Sequence, residues 1–313
     1  MASDYTQLTN KLKLIFWPYL RLAFLFVAGF GLLDAALLHW LPDFDPPYLF
    51  WKLLGPAVVA AVLVLWLLWS RLCLLAEGKG RGNLAVGMSL IAVATMAFGT
   101  SCLHDYLRVW LGRLVVADSP ASWAAGRPRG TYYRFRHKYQ TARYAGVEPQ
   151  TTTADKGRKV IFHLYVATPL FASPADTGQP TASWQGLHYS AQVDAQASEA
   201  AKKTAYLAFL RHADTLLTQE KFTAPAGYYE RIPNTDERAA YLRAARRTGL
   251  CPPTASFPVL LLQPGQVSFT DRKRSALRYL AGGLGGGMVF FFIILLFPYL
   301  STTRAQDFWA RRS

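Results

Sequence analysis

Side chains that could do chemistry stand inside the otherwise apolar first third of this 313-residue chain. Asp34 interrupts the first long apolar run, and Ser101, His104 and Asp105 lie close together in the segment GTSCLHDYLR, residues 99–108. An ionisable group in such a run is costly and is a candidate for function, so Asp34 could carry a proton, bind an ion or pair with another apolar segment. A structural hydrogen bond is the plainer interpretation of a single carboxylate.

Ser101 and His104 are three residues apart, which places them on one face of a helix, with Asp105 beside them. A serine hydrolase normally collects its nucleophile and base from separate elements, so that the base can align on the nucleophile. The sequence also has no G-x-S-x-G elbow. We therefore predict no catalytic residue. Asp34, Ser101 and His104 remain the site of the alternative hypothesis, a membrane enzyme or transporter.

Metal and cofactor motifs are not found in the sequence. Its three cysteines, Cys73, Cys102 and Cys251, have no spacing typical of metal ligands or of a disulfide framework. The run GGLGGG, residues 282–287, follows no predicted strand and precedes no ribose-binding acid, as a dinucleotide loop would require. The sequence predicts neither a metal nor a cofactor, and it names no ligand.

Four apolar runs are long enough to position these side chains in a bilayer. About 20 helical residues cross about 30 Å of hydrocarbon, and the runs cover roughly 19–41, 53–75, 84–104 and 277–300. The third run is also compatible with a continuation as an amphipathic helix to Val116. The predicted organisation is three transmembrane helices in residues 1–117, a soluble domain in 118–275, and a fourth helix with a short basic tail in 276–313.

The glycines of the fourth run are spaced for helix packing. Gly282 and Gly286, like Gly283 and Gly287, are pairs of small residues four apart, and such pairs let helix backbones approach closely. The partner helix could belong to the same chain or to another copy. The predicted partners are therefore the lipid bilayer and a protein partner, or a second copy held through this helix.

Positive charge predicts the orientation, because short loops rich in Lys and Arg tend to stay cytoplasmic. Such residues flank the first run, fill the loop after the second and occupy the tail: Lys11, Lys13, Arg21, Arg71, Lys79, Arg81, Arg304, Arg311 and Arg312. With four spans these regions share one side. Both termini are then cytoplasmic and residues 118–275 extracytoplasmic.

The chain has a net charge of +15, which raises the question of nucleic-acid binding. The segment that bears on this question is TYYRFRHKYQ, residues 131–140, because it combines aromatic and basic side chains. In a strand, alternate side chains point to opposite faces. Two sets of side chains then separate onto opposite faces, one of Tyr133, Phe135, His137 and Tyr139 and the other of Arg134, Arg136 and Lys138. A nucleic-acid surface would instead expose its aromatic rings among the cations. The pattern predicts a half-buried strand over 131–139 and no nucleic-acid partner.

The remaining pattern of residues 118–275 predicts an α+β domain with a largely antiparallel sheet. Further strands are predicted at 159–171, 184–195, 227–233 and 257–264. Helices are predicted at 198–221, with Ser198 as cap, and at 235–247, opened by a capping box of Asn234 and Glu237. The fold class is thus a membrane protein with four transmembrane helices and one inserted α+β domain.

Four stretches of this domain resemble a known module: YVATPLFASPADT, SWQGLHYSAQVD, AYLAFLRHADTLL and GYYERIPNTDERAAYLRAARR. Set between three leading runs and one closing run, they resemble the N-terminal region of certain long bacterial membrane proteins of the rhomboid intramembrane protease family. In that family the protease half would follow the fourth span, whereas this sequence ends at Ser313 and has no G-x-S-G serine loop. The resemblance implies a non-catalytic module of a bacterial inner membrane.

These observations predict a multi-pass membrane protein that presents a binding or scaffolding domain to protein or envelope partners.

Overall fold

The computed structural model describes residues 2–40, 46–76, 81–126, 130–219, 227–251 and 259–300. The predicted basic tail lies outside these residues. The chain divides into two compact units. One is the helical unit, Met1–Leu111 with Thr270–Ser313, and the other is the sheet domain, Gly112–Phe269.

Four helices of the structure are long and apolar enough to cross a membrane: Gln7–Trp40, Phe50–Leu72, Leu84–Leu111 and Phe269–Leu296, called span one to span four below. The sequence predicted all four. Span one begins at Gln7 rather than at 19, in a polar segment that apolar content alone does not mark as helix. The amphipathic continuation of span three beyond 104 is present, but it ends at Leu111 rather than at Val116, and Leu114–Ala117 form a strand instead.

The first three spans are built from α-helices joined by short π-helical turns. The helices are α1 (Ala2–Lys11), α2 (Trp17–Trp40), α3 (Gly55–Leu63), α4 (Trp69–Leu72) and α5 (Arg81–Leu111). The π-helical turns are Leu12–Phe16, Phe50–Leu54 and Val64–Leu68, and the two-residue strand β1 is Leu75–Ala76.

The sheet domain contains seven strands and three α-helices among its described residues, together with two short 3-10 helices, Ala142–Tyr144 and Pro174–Asp176. In chain order the strands and α-helices are β2 (Leu114–Ala117), α6 (Pro120–Gly126), β3 (Tyr132–Phe135), β4 (Gly146–Ala154), β5 (Lys159–Pro169), β6 (Ser183–Asp194), α7 (Glu199–Gln219), β7 (Tyr229–Arg231), α8 (Asp236–Arg247) and β8 (Leu260–Pro264). The strand order in the sheet is β2-β3-β7-β8-β6-β5-β4. The sheet is mixed, because β2–β3 and β6–β8 are parallel while the other adjacent pairs are antiparallel.

Two of these strands, β2 and β4, are not predicted by the sequence pattern. The segment GVEPQTTTA of β4 is polar and contains Pro149. Proline has no backbone N–H to donate to a neighbouring strand, so it is disfavoured in a central strand. It is tolerated because β4 is the last strand of the sheet and pairs with β5 alone. Its burial is low, so the apolar alternation that identifies a strand is weak here.

The strand predicted over 131–139 ends at Phe135, and the predicted alternation ends with it. The side chain of His137 is 74% exposed, and the Lys138 side chain, predicted to face outward, is half-buried against Tyr229. The prediction was therefore wrong for this end of the segment. The register with β2 ends at the pair Ala117–Phe135, and residues 136–137 form a bend, although the Arg136 and His137 amides still donate to the Ala117 and Asp118 carbonyl oxygens at 3.1 and 2.8 Å.

Helices cover both faces of the long strands. On one face α7 packs Phe209, Ala213 and Leu217 over the apolar side of β5. On the other face α8 lies so close to β4 that a Cβ added to Gly146 would be 2.0 Å from the Ala244 carbonyl oxygen. Only glycine fits at that position.

The helix caps agree with the sequence in one case and correct it in the other. Ser198 Oγ accepts a hydrogen bond from the Ala201 amide at 3.2 Å and caps α7 as predicted. The cap of α8 is Thr235 rather than Asn234, because the Thr235 hydroxyl accepts from the Arg238 amide at 3.3 Å.

The chain closes with α9 (Phe269–Leu296), which forms span four, and the short strand β9 (Tyr299–Leu300), which pairs with β1. In the core of the helical unit the rings of Tyr19 and Phe291 stack at 3.8 Å. Large apolar side chains such as Leu32 and Trp66 stay exposed on the outer surface of the unit, as on helices that face lipid.

Candidate functional site

A polar network joins the first three spans at one end of the helical unit. Its members come from three parts of the chain: Asp34 from α2, His104 and Asp105 from α5, and Tyr48, Trp51 and Lys52 from the first turns at the beginning of span two, Tyr48 lying two residues before Phe50. Asp34 lies six residues before the end of α2, about 9 Å at 1.5 Å per residue. The network is thus near the helix ends rather than at mid-span.

Asp34 is the most deeply buried member, with 3% of its side chain exposed. Its Oδ2 lies 2.8 Å from His104 Nδ1, and its Oδ1 accepts a hydrogen bond from Trp51 Nε1 at 2.9 Å. Both carboxylate oxygens therefore have a partner on another span. A proton on His104 Nδ1 donates to Asp34 Oδ2, and this contact fixes the orientation of the imidazole.

Asp105 forms the outer half of the network. Lys52 Nζ lies 2.7 Å from Asp105 Oδ2, and Tyr48 OH donates to Asp105 Oδ1 at 3.2 Å. Lys52 also donates to Tyr48 OH at 3.0 Å. The Tyr48 ring meets the His104 ring edge to face at 5.9 Å, so the inner and outer halves are in contact.

Ser101 is one turn before His104 on α5, and the described contacts join it to neither His104 nor Asp34. The structure thus brings together two of the three residues of the alternative hypothesis, Asp34 and His104. Asp34 and Asp105 were visible in the sequence, but Tyr48, Trp51 and Lys52 were missed as members. Only their aromatic and basic character near the predicted start of a span could have signalled them.

The glycines of span four fall into two groups, those packed against another helix of the chain and those with open space beside them. A Cβ added to Gly287 would lie 2.4 Å from Thr95 Cγ2, and one added to Gly283 would lie 2.8 Å from Phe98 Cε1. These two glycines pack against α5 within the chain. A Cβ added to Gly282 or Gly286 would meet no atom within 4 Å.

Among the described residues there is no group of three or more His, Cys, Asp or Glu side chains arranged to hold a metal ion. In the sheet domain His163 Nδ1 lies 3.0 Å from His188 Nε2, and the two rings stack with Tyr165. Burial and the neighbouring His163 lower the pKa of His188, against a smaller opposite effect of Glu237. This histidine pair was not anticipated, because its members stand 25 residues apart on adjacent strands.

No family model, no curated protein and no solved structure matches this chain. The resemblance to the rhomboid-associated module therefore stays a prediction, and the site has to be interpreted from its own geometry.

Proposed function

We propose that this protein is a multi-pass inner-membrane protein whose four spans anchor a non-catalytic binding domain. The sheet domain recognises protein or envelope partners, and the helical unit holds it at the membrane by both of its ends. The proposal agrees with the role implied by the rhomboid-associated resemblance, a membrane module without protease residues.

The pairing of the intramembrane carboxylates is the observation that carries this proposal. Each oxygen of Asp34 and of Asp105 lies within hydrogen-bond distance of a side chain from another span or, for Asp105 Oδ1, from Tyr48 just before span two. A carboxylate that acts on a substrate needs an oxygen within reach of the proton it takes. A carboxylate with both oxygens engaged by neighbouring helices instead stabilises their packing, at about 0.6 to 2 kcal/mol per interhelical hydrogen bond.

The contact between Asp34 and His104 favours one second candidate, a proton-translocating transporter. Buried Asp and His side chains in contact are typical components of proton relays in pumps and transporters. This candidate needs Asp34 for activity rather than for stability, so a single substitution separates the two hypotheses.

Asp34→Asn is the substitution that tests the proposal, because it preserves the shape and an acceptor for Trp51 but removes the charge facing His104. We expect a lower melting temperature in detergent, together with unchanged cross-linking of the folded variant to its membrane partners. Ser101→Ala is the matched control within the spans and should alter neither quantity.

The opposite pattern contradicts the proposal. If Asp34→Asn melts like the wild type but abolishes proton uptake in proteoliposomes that contain a pH-sensitive dye, the transporter hypothesis replaces it.

Orientation is part of the proposal, and cationic side chains at one end of the helical unit support it. Lys11 Nζ donates to the Leu296 carbonyl oxygen at 2.9 Å, and Arg71 donates to the Leu14 carbonyl oxygen at 3.0 Å. This end holds the start of span one and the ends of spans two and four, so the positive-inside tendency makes it cytoplasmic. Reporter fusions at Gly126 and Ser313 should give an extracytoplasmic and a cytoplasmic signal, respectively.

Self-association through span four belongs to the same proposal. Gly282 and Gly286 lie four residues apart and leave space beside α9, where the backbone of a second helix could approach closely. Gly286→Leu should reduce cross-linking between copies in membranes, whereas Leu32→Phe on exposed span-one surface should leave it unchanged.

A further inference from the structure

Strand β4 forms one edge of the seven-stranded sheet. It is nine residues long and pairs with β5 alone. Native proteins commonly protect such an edge with lysine side chains, bulges or a covering element. This strand contains no lysine, and its register with β5 runs without a bulge from Gly146 to Ala154. Its exposed residues are Val147, Pro149 and residues 151–153, so the edge is accessible from solvent.

The direction of each backbone group in β4 follows from the pairing of β5. In an antiparallel ladder, successive residues turn their N–H and C=O groups to opposite edges of the strand. At the two ends of β5, the Leu170 amide and the Arg158 carbonyl bond to the β6 side at 2.9 and 2.8 Å, so even-numbered residues of β5 face β6. Odd-numbered residues such as Ala167 then face β4, and Ala167 pairs with Gly146. Even-numbered residues of β4 therefore bond to β5, and odd-numbered residues point outward.

Two outward residues of β4 agree with this assignment. The Val147 carbonyl oxygen accepts a hydrogen bond from the Arg247 side chain at 3.1 Å, whereas an inward carbonyl would bond to β5. Pro149 has no N–H, and at an outward position no bond to β5 is lost. Farther along the strand, the amides and carbonyls of Thr151 and Thr153 point outward, and no residue in the described part of the chain bonds to them.

We infer that the open edge of β4 binds an extended, acidic segment of a protein partner, which adds a strand to the sheet. The outward donors and acceptors recur every second residue, about 6.6 Å apart, and another extended backbone presents the complementary groups at this same spacing. The backbone ladder therefore selects a peptide strand as the occupant. This inference deepens the proposed function, on which it rests, by naming the class of partner and the place where it binds.

The charge around the edge selects an acidic strand. Near the start of β4, Arg243 and Arg247 of α8 share Glu148 in ion pairs of 2.9 and 2.6 Å, so one carboxylate faces two guanidinium groups. The exposed turn after β4 carries one acid and two cations: Asp155, Lys156 and Arg158. Each end of the edge thus has an excess of positive charge, which attracts acidic side chains of an added strand.

A second copy of the chain is the other strand that could occupy this edge. Two β4 strands related by a twofold axis would pair antiparallel, so the Arg243–Arg247 end of one copy would lie beside Lys156 and Arg158 of the other. Like charges brought together across an interface disfavour it. The same cations that attract an acidic segment therefore oppose pairing between copies.

The test measures binding of a fluorescein-labelled hexapeptide of alternating glutamate and valine to the full-length protein in detergent, by fluorescence anisotropy. A second peptide has lysine in place of glutamate, and a third is methylated at every backbone nitrogen and has no N–H to donate. We expect the acidic peptide to bind, and the other two to bind at least about tenfold more weakly, the effect of lost hydrogen bonds and of reversed charge.

Thr151→Pro tests the same ladder from the side of the protein. It removes one outward donor and keeps every bond between β4 and β5, as Pro149 already does. We expect about tenfold weaker binding of the acidic peptide, with a melting temperature close to that of the wild type. Thr151→Val is the matched control, because it keeps the amide and changes only an exposed side chain, and it should bind like the wild type.

Three results would overturn the inference. The acidic peptide does not bind the wild type, the methylated peptide binds as well as its parent, or folded Thr151→Pro binds as well as Thr151→Val. If the peptide fails and Thr153→Cys forms a disulfide-linked dimer in membranes, the edge belongs to a second copy instead.

Cross-linking to membrane partners separates this inference from the proposed function. Cross-linking of the wild type that persists while the peptide fails to bind would leave the proposed function standing and remove this inference. Cross-linking that is absent from the wild type would remove both.

Discussion

His188 is a residue of the sheet domain for which the structure gives a pH dependence with a definite sign. Burial and the His163 ring on the adjacent strand lower its pKa, and Glu237, whose charge acts in the opposite direction, does not outweigh them. Because the folded state binds this proton more weakly than the unfolded state, the unfolded chain takes it up first as the pH falls below the ordinary value of 6.5. Stability is therefore lost on the acidic side of that value.

We expect His188→Gln to reduce the loss of thermal stability on acidification from neutral pH. The measurement is the melting temperature across a pH series, with the exposed His212→Gln on α7 as control. An unchanged pH profile in His188→Gln would contradict this account of the histidine pair.

Asp34 shows how far single residues can be interpreted from sequence. A carboxylate in an apolar run marks a site, and the structural hydrogen bond considered for it is present, to Trp51 and with His104. The partners could not be foreseen, since they lie on different helices at sequence distances of 17 and 70 residues. Such pairing depends on how the helices pack, which composition does not encode.

The helices and strands differ in how well sequence predicts them. Long apolar runs and the amphipathic α8 are visible because their pattern extends over many residues. The edge strand β4 has little apolar alternation of its own, and pairing with β5 determines it, whereas the three-residue strand β7 lies inside the strand predicted at 227–233. The parallel pairing of β6 with β8 is also invisible in sequence, because it joins segments separated by two helices.

Span four gives the sharpest prediction for an element. Gly287→Ala places a methyl group 2.4 Å from Thr95 Cγ2, so the α5–α9 contact has to shift, at a cost of about 1 to 3 kcal/mol. Gly286→Ala is its matched neighbour on the open face and gains up to about 1 kcal/mol of helix propensity. We expect thermal unfolding in detergent to place Gly287→Ala below the wild type and Gly286→Ala at or above it.

Equal stability of these two variants would contradict the packing of α9 against α5.

The whole molecule combines two units with different surfaces. The helical unit exposes large apolar side chains such as Phe24, Trp66 and Phe297. Soluble proteins rarely expose apolar surface over so wide an area. The sheet domain is built around three buried clusters between its strands and helices, as soluble domains are. This division explains why average composition is uninformative for this chain.

Alkaline carbonate extraction of membranes from cells that express the full chain tests the central claim, insertion of the four spans into lipid, most directly. Carbonate releases peripheral proteins and leaves helices buried in hydrocarbon in place. The protein should remain in the membrane pellet and enter solution only with detergent. A chain recovered in the carbonate supernatant as a detergent-free monomer would contradict the anchored binding domain proposed here.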